Sequence, residues 1–139
     1  MTENAGKFAL ILNTAAYDRV AFSLSLAIMT AAVGKDVGVL FGYGALARLK
    51  KGAADELGEE TEAWIRPQVK DGIDRGSVQR ISEALETLTK LGGKLYACPA
   101  AMALHHIGKA ELIEEASTVC SVADFLNKYP GESSTTLYV

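Results

Sequence analysis

Lys94-Leu95-Tyr96-Ala97-Cys98-Pro99-Ala100-Ala101 is the stretch on which the fold turns, because it reads as a strand ending and a helix beginning. The apolar run through Ala97 stops against Pro99, whose preset φ and missing N–H suit the first position of a helix. Cys98 then falls at or next to the helix N-cap, with unpaired backbone N–H groups expected to point at its sulfur. The N-terminal dipole favours a thiolate in that place. In open α/β sheets, binding residues gather at the carboxyl ends of strands. The segment therefore predicts a strand-to-helix junction that carries a thiol placed for sulfur chemistry.

Working outward, Phe8-Ala9-Leu10-Ile11-Leu12 and Val37-Gly38-Val39-Leu40-Phe41 are continuous apolar runs, as expected of strands covered on both faces. Between them, Asn13-Thr14 can cap a helical pattern over about 17–33. A short helix is expected around 45–51. Ser77 opens the clearest helix: Val78, Ile81, Leu85, Leu88 and Leu91 line one face, while Gln79, Arg80, Glu83 and Glu86 take the other. Gly92-Gly93 ends it. Beyond Cys98 come a helical stretch at 111–115, a weak strand at Thr118-Val119-Cys120, a helix over 121–129 and a last strand over 135–139. Strands alternating with helices mean parallel pairing through right-handed crossovers. The predicted fold is a three-layer α/β/α sandwich with a mainly parallel sheet of about five strands, in a single domain over 1–139.

Two segments exceed that plan. The first helix carries two apolar stripes, one of Val20, Leu24, Ala27, Ile28 and Ala31 and another of Phe22, Leu26, Met29 and Val33. A helix lying on a sheet needs one stripe, so the second predicts burial against another subunit. The segment over 52–76 holds five acidic residues between Asp55 and Glu62, together with the sole tryptophan, Trp64. So long a connection is a functional or mobile loop. It reads either as a lid folding beside Cys98 or as an acidic solvated excursion with a small helix.

Composition removes several function classes. The chain has 139 residues, is 49% hydrophobic and 22% charged, and carries a net charge of −3. That is ordinary for a globular domain. No basic stripe rises above Arg48, Lys50 and Lys51, so nucleic acid is not an expected partner. Residues 1–7 show no cationic region leading into an apolar core, so no secretion signal is read there. The longest uncharged stretch, 20–34, falls short of the ~18 apolar residues of a membrane span. Two cysteines are too few for a disulfide scaffold. These points together predict a reduced, cytoplasmic setting away from membranes.

Cys98 is the candidate catalytic residue. A free thiol titrates near ~8.5, and a helix N-terminus supplies only about 0.3–1 kcal/mol, under one pKa unit. Fuller activation would need a cation, such as a lysine or arginine from the 52–76 loop, or a persulfide, whose outer sulfur is more acidic. Backbone groups of Pro99, Ala100 and Ala101 are expected to cradle the anionic sulfur. Cys120 could resolve a disulfide, but it lies among Val119, Val122 and Ala123 and reads better as packed into a strand end. No Cys-x-x-Cys occurs. His105 and His106 could make a metal site with Cys98, but His105 lies ~10 Å further along the helix axis, too far for shared ligation, so no metal and no cofactor are expected. Gly42-Tyr43-Gly44-x-x-Ala47 resembles a dinucleotide fingerprint only superficially, since no acidic residue ends a strand ~20 residues on. Gly42 and Gly44 instead predict a tight turn that could offer N–H groups to a small anion near Cys98.

On these residues the chain resembles the DsrE/DsrF/TusD-like sulfur-relay superfamily, in particular its DsrE-like single-chain members. The resemblance rests on Tyr17-Asp18 and the alanine-rich helix ending Ala31-Ala32-Val33-Gly34-Lys35. It rests also on the glycine turn before Leu46-Ala47-Arg48-Leu49-Lys50-Lys51-Gly52. Above all it rests on Gly92-Gly93-Lys94-Leu95-Tyr96-Ala97-Cys98 followed by Met102, Ile107-Gly108 and Glu111-Leu112-Ile113. It implies a sulfane sulfur held as a persulfide on Cys98 and handed to a partner such as a TusA-like protein. It also implies a dimer, trimer or hexamer. Two other classes compete: an oligomeric module binding a nucleotide or small ligand near Gly42 and Gly44, and a thiol reductase working through Cys98 and Cys120.

Overall fold

In the computed structural model, which describes residues 6–116, 118–129 and 134–139, five parallel strands form one sheet in the order β4-β3-β2-β1-β5. The strands are β1 (Lys7–Leu12), β2 (Asp36–Phe41), β3 (Lys94–Ala97), β4 (Thr118–Val119) and β5 (Ser134–Tyr138). The fold is the predicted α/β/α sandwich. Two long helices, α1 (Tyr17–Ala32) and α3 (Ile81–Lys90), follow β1 and precede β3 and pack against each other. The chain then moves back across the whole sheet from β4 to β5, and a right-handed crossover in that direction lays α5 (Val122–Lys128) on the opposite face. No helix among the described residues is long and apolar enough to cross a membrane. The stretch 1–5, read above for a secretion signal, lies outside the described residues.

Alternation along the strands divides the core. Phe8, Leu10, Leu12, Val37, Val39, Phe41, Leu95 and Ala97 are buried on the α1/α3 side, where Val20, Leu24, Ala27 and Leu88 meet them. On the α5 side, Tyr96, Phe125 and Tyr129 form an aromatic cluster with ring centroids 4.9–6.3 Å apart. Gly38 is glycine for a packing reason: a Cβ there would land on the Tyr129 phenol. The second stripe of α1 stays open, with Phe22, Met29 and Val33 each about two-thirds exposed at 68%, 66% and 69%.

Several predicted elements form differently. Residues 77–79 do not start α3. They close the preceding helix α2 (Arg66–Arg75), because Ser77 N and Val78 N both donate to Gly72 O, at 2.8 and 3.0 Å, after Gly76 takes the left-handed conformation. Leu91 lies past the end of α3 and is exposed. The predicted helix at 45–51 is a 3₁₀ segment, Tyr43–Leu49. The stretch at 111–115 yields only single 3₁₀ turns, since Lys51 N donates to Glu111 O and Ile113 N to Leu49 O, drawing it into antiparallel pairing. Asn13-Thr14 does not cap α1. The N-cap is Ala16, and Thr61 Oγ1, distant in sequence, accepts from Tyr17 N at 2.9 Å.

The 52–65 segment is therefore tied down, and Arg48 is the knot. Its side chain is buried, donating to Ala15 O, Ala54 O and Glu56 O, paired with Glu60 at 3.4 Å and lying over the Tyr17 ring. Asp55 holds the start of α3 by accepting from Ser82 N and Oγ. Burial works to raise the Glu60 carboxyl. Hydrogen bonds from Gly58 N and Thr61 Oγ1, with the Arg48 charge, outweigh it and hold the group below its usual range. Replacing Arg48 with Met strands these carbonyls and the carboxylate. The expected loss is about 3–5 kcal/mol in urea unfolding, with faster amide exchange across 52–62.

Burial, and then the hydrogen bond with Tyr96, raise the Tyr129 phenol. The folded state thus keeps a proton that the unfolded phenol releases near pH ~10. Stability should be full below that pH and fall as pH rises above it. Tyr129→Phe is expected to flatten this alkaline loss when unfolding free energy is measured against pH.

Candidate functional site

The sheet ladder continues one residue past its strands at the carboxyl edge. Gly42 N donates to Leu12 O at 2.9 Å, Cys98 N to Phe41 O at 3.1 Å, and Cys120 N to Ala97 O at 3.0 Å. With Asn13 following Leu12, the residues Asn13, Gly42, Cys98 and Cys120 stand in one row across that edge. Residues two apart on a strand share a face. Cys98 therefore follows Tyr96 to the side that α5 covers, and Gly42 follows Leu40 to the same side.

A cavity of about 350 Å³ opens there. Ile11 and Leu40, neighbours in register, form its floor, and Tyr138, paired with Ile11, stands at its outer side. Val122, the first residue of α5, and Ala100 and Ala101 of α4 (Pro99–His105) close the walls. Cys98 is 6% exposed and lines this space. Gly42 leaves room for it: a Cβ there would come no closer than 3.6 Å to any neighbour, Leu12 O, so nothing but the cavity occupies that side. Tyr43 borders the mouth with φ 38°, a left-handed backbone that a residue with a bulky side chain rarely adopts. Asn13 Nδ2 donates to the Tyr138 hydroxyl at 2.9 Å across the rim.

Cys98 is the N-cap of α4, as predicted, with φ −77° and ψ 124°. Its sulfur does not cap the helix, and among the described residues no capping hydrogen bond reaches it. The cradle of amides expected from Pro99, Ala100 and Ala101 is corrected accordingly: strand alternation turns the side chain toward the cavity instead of back over the helix axis. Ala100 and Ala101 line the cavity. Pro99 is exposed and does not line it. Gly44 does not line it either, since it sits against Ala15, where a Cβ would lie 3.5 Å from the Ala15 amide nitrogen.

The lid reading of 52–76 is also corrected. None of those residues lines the Cys98 cavity, because Arg48, Thr61 and Asp55 bind the segment to the α1/α3 side. No lysine or arginine from it stands at the cavity. Cys120 is buried at the end of β4, as predicted, and its thiol donates to Ser121 O at 3.5 Å. Burial pushes the Cys120 thiol up, and Lys128 opposes this without cancelling it. His105 and His106 are exposed at the far end of α4. Among the described residues, no group of three His, Cys, Asp or Glu side chains could hold a metal.

Asn13, Tyr43, Val122 and Tyr138 were not read as site residues from the sequence. Three of them are reached only through the strand order, which puts β5 beside β1 and brings α5 over the sheet. Tyr43 alone carried a local signal, a large residue between two glycines.

No protein-family model matches the chain, and no curated protein matches it in sequence. Among solved structures, the chain is similar to the YchN protein from E. coli, with a TM-score of 0.66 and 18% sequence identity over 95% of this chain and 99% of that one. The likeness shows a shared fold.

The two thiols should separate chemically. With iodoacetamide on the native protein at neutral pH, Cys98 is expected to react about tenfold faster than Cys120, whose rate should climb only in alkaline solution. Equal rates read by peptide mass spectrometry would contradict this arrangement.

Proposed function

We propose that the protein is a sulfur carrier or sulfurtransferase that holds a sulfane sulfur as a persulfide on Cys98. The observation that carries the reading is a cysteine at the carboxyl edge of a parallel sheet, shielded from bulk water yet open to a cavity. The DsrE-like fold and the sequence resemblance around Gly92–Cys98 support it. In loading, the Cys98 thiolate attacks the outer sulfur of a donor R–S–SH. The donor S–S bond breaks, a new S–S bond forms on Cys98, and R–S⁻ leaves with the electron pair. In delivery, an acceptor thiolate attacks the outer sulfur of Cys98–S–SH, and Cys98 departs as thiolate. Both steps are redox-neutral and follow thiol–disulfide exchange rules.

The proposal includes a single domain in a reduced cytoplasmic setting and donor and acceptor proteins, a TusA-like one among them. It also includes a homo-oligomer built on the open stripe of Phe22, Leu26, Met29 and Val33. The competing nucleotide-binding reading finds little support, because among the described residues the cavity beside Gly42 offers a phosphate no cationic side chain. The thiol-reductase reading keeps one geometric support, since Cys98 and Cys120 follow the paired residues Ala97 and Val119 at neighbouring strand ends; against it stands the burial that pushes the Cys120 thiol up.

Incubation with a polysulfide donor tests the proposal directly. Intact-mass spectrometry should show wild-type protein and Cys120→Ser each gaining one labile sulfur that dithiothreitol removes, and Cys98→Ser gaining none. Equal uptake by Cys98→Ser would sink it.

A further inference from the structure

We infer that the small-molecule donor taken up beside Cys98 is an organic persulfide whose sulfane sulfur is borne on an uncharged, apolar carrier group, in preference to a donor with a charged carrier group such as thiosulfate or glutathione persulfide. This rests on the sulfur-carrier reading and adds the substrate class. Among the described residues, no charged side chain lines the cavity. Its floor is Ile11 and Leu40, and its walls are Ala100, Ala101 and Val122. The polar side chains at its edge, Asn13, Tyr43 and Tyr138, are neutral. Asn13 and Tyr138 already bond each other at 2.9 Å. A volume of about 350 Å³ lies in the range of small-ligand sites, which are mostly apolar with a few orienting polar groups.

A charged carrier group entering this space sheds water and meets no counter-charge, a cost added to that of the reacting sulfur common to every donor. Arg48, the cation closest in sequence to the Gly42 turn, is committed to three carbonyls and Glu60 in another part of the molecule. An apolar group instead gains by burial against the floor. When the donor's S–S bond breaks, the charge that appears on R–S⁻ can meet the second N–H of the Asn13 amide, whose first is bonded to Tyr138, and it leaves to solvent with the product.

The test compares sulfur loading of Cys98 from benzyl persulfide, glutathione persulfide and thiosulfate. Each rate is divided by that donor's rate with free N-acetylcysteine, to remove intrinsic reactivity. The expected result is a corrected rate at least about tenfold higher for benzyl persulfide, a factor equal to roughly 1.4 kcal/mol of selectivity. Val122→Lys, which places a cation at the wall, should narrow that ratio severalfold in favour of the donors with charged carrier groups. Equal or faster corrected loading from either of those donors in the wild type overturns the inference and leaves the carrier reading intact. So does an unchanged ratio in Val122→Lys. Loading from none of the three overturns the carrier reading itself. In that case benzyl mercaptan is titrated into Cys98→Ser: shifts in the Ile11 and Leu40 methyl resonances uphold the apolar-ligand assignment, and their absence overturns it.

Discussion

Parallel strands held in register must end together, and at this site that requirement does most of the assembly. Leu12 pairs with Phe41 and Phe41 with Ala97, while Ala97 pairs with Val119. Whatever follows these four residues is brought to a common edge, although the residues are scattered from 13 to 120 along the chain. Asn13, Gly42, Cys98 and Cys120 need no mutual affinity to meet. A slip of one residue in β3 would turn Cys98 to the α1/α3 side, into packed hydrocarbon. The buried apolar pairs Val39–Leu95 and Leu40–Tyr96 guard against that slip, because shifting either one exchanges an aromatic ring for an aliphatic residue in both layers.

The return crossover then shapes what the row faces. Had the chain continued outward from β4, the face bearing Cys98 would have lost α5. Instead it turns back across β3, β2 and β1, so Val122 roofs the carboxyl edge while Phe125 and Tyr129 fill the space below. The cavity is the remainder: the aromatic cluster packs solidly over Gly38 and Tyr96, and beyond it lie only the small residues Gly42, Ala100 and Ala101. Arg48 secures the other side of the sheet. A guanidinium out of water must satisfy its donors in a fixed fork. The carbonyls of Ala15, Ala54 and Glu56 do so, joining the β1–α1 turn to a loop 40 residues further on. That bond pattern keeps the acidic loop away from the cysteine.

Most of the fold was legible because it rests on local signals. Apolar runs gave β1, β2 and β3 nearly to the residue, and the two stripes of α1 told which would be buried. The Cys98-Pro99 junction gave both the strand end and α4. What the sequence hid depended on partners distant in the chain. Arg48 reads as one more cation of a basic stretch until Ala15, Ala54 and Glu60 surround it. Thr61 gives no hint that it caps a helix beginning at Tyr17. α2 did carry a signal, Ile65, Val69 and Ile73 at spacings of four with Pro67 in the first turn, but charged residues on the remaining faces obscured it. At the site, Cys98, Gly42, Ala100 and Ala101 were accessible from sequence. Asn13, Val122 and Tyr138 were not, since pairing of β1 with β5 leaves no trace in the local pattern of either strand.

Tyr43 is where these levels converge. A side chain with a Cβ in the left-handed region costs roughly 1–2 kcal/mol, and glycine stands on either side of it, ready to take the conformation without strain. The chain nevertheless puts a tyrosine there. Local propensity does not explain that choice, and neither does core packing, since the ring is more than half exposed at 56%. What the conformation does is place a large, neutral side chain among the residues that line the cavity beside Cys98. Strain held at such a place follows the general tendency of costly backbone geometry to sit at binding sites. It fits an entrance that selects for an apolar carrier group, because a lysine in the same conformation would cost the same strain and would draw in charged carrier groups, for which the cavity holds no counter-charge among the described residues.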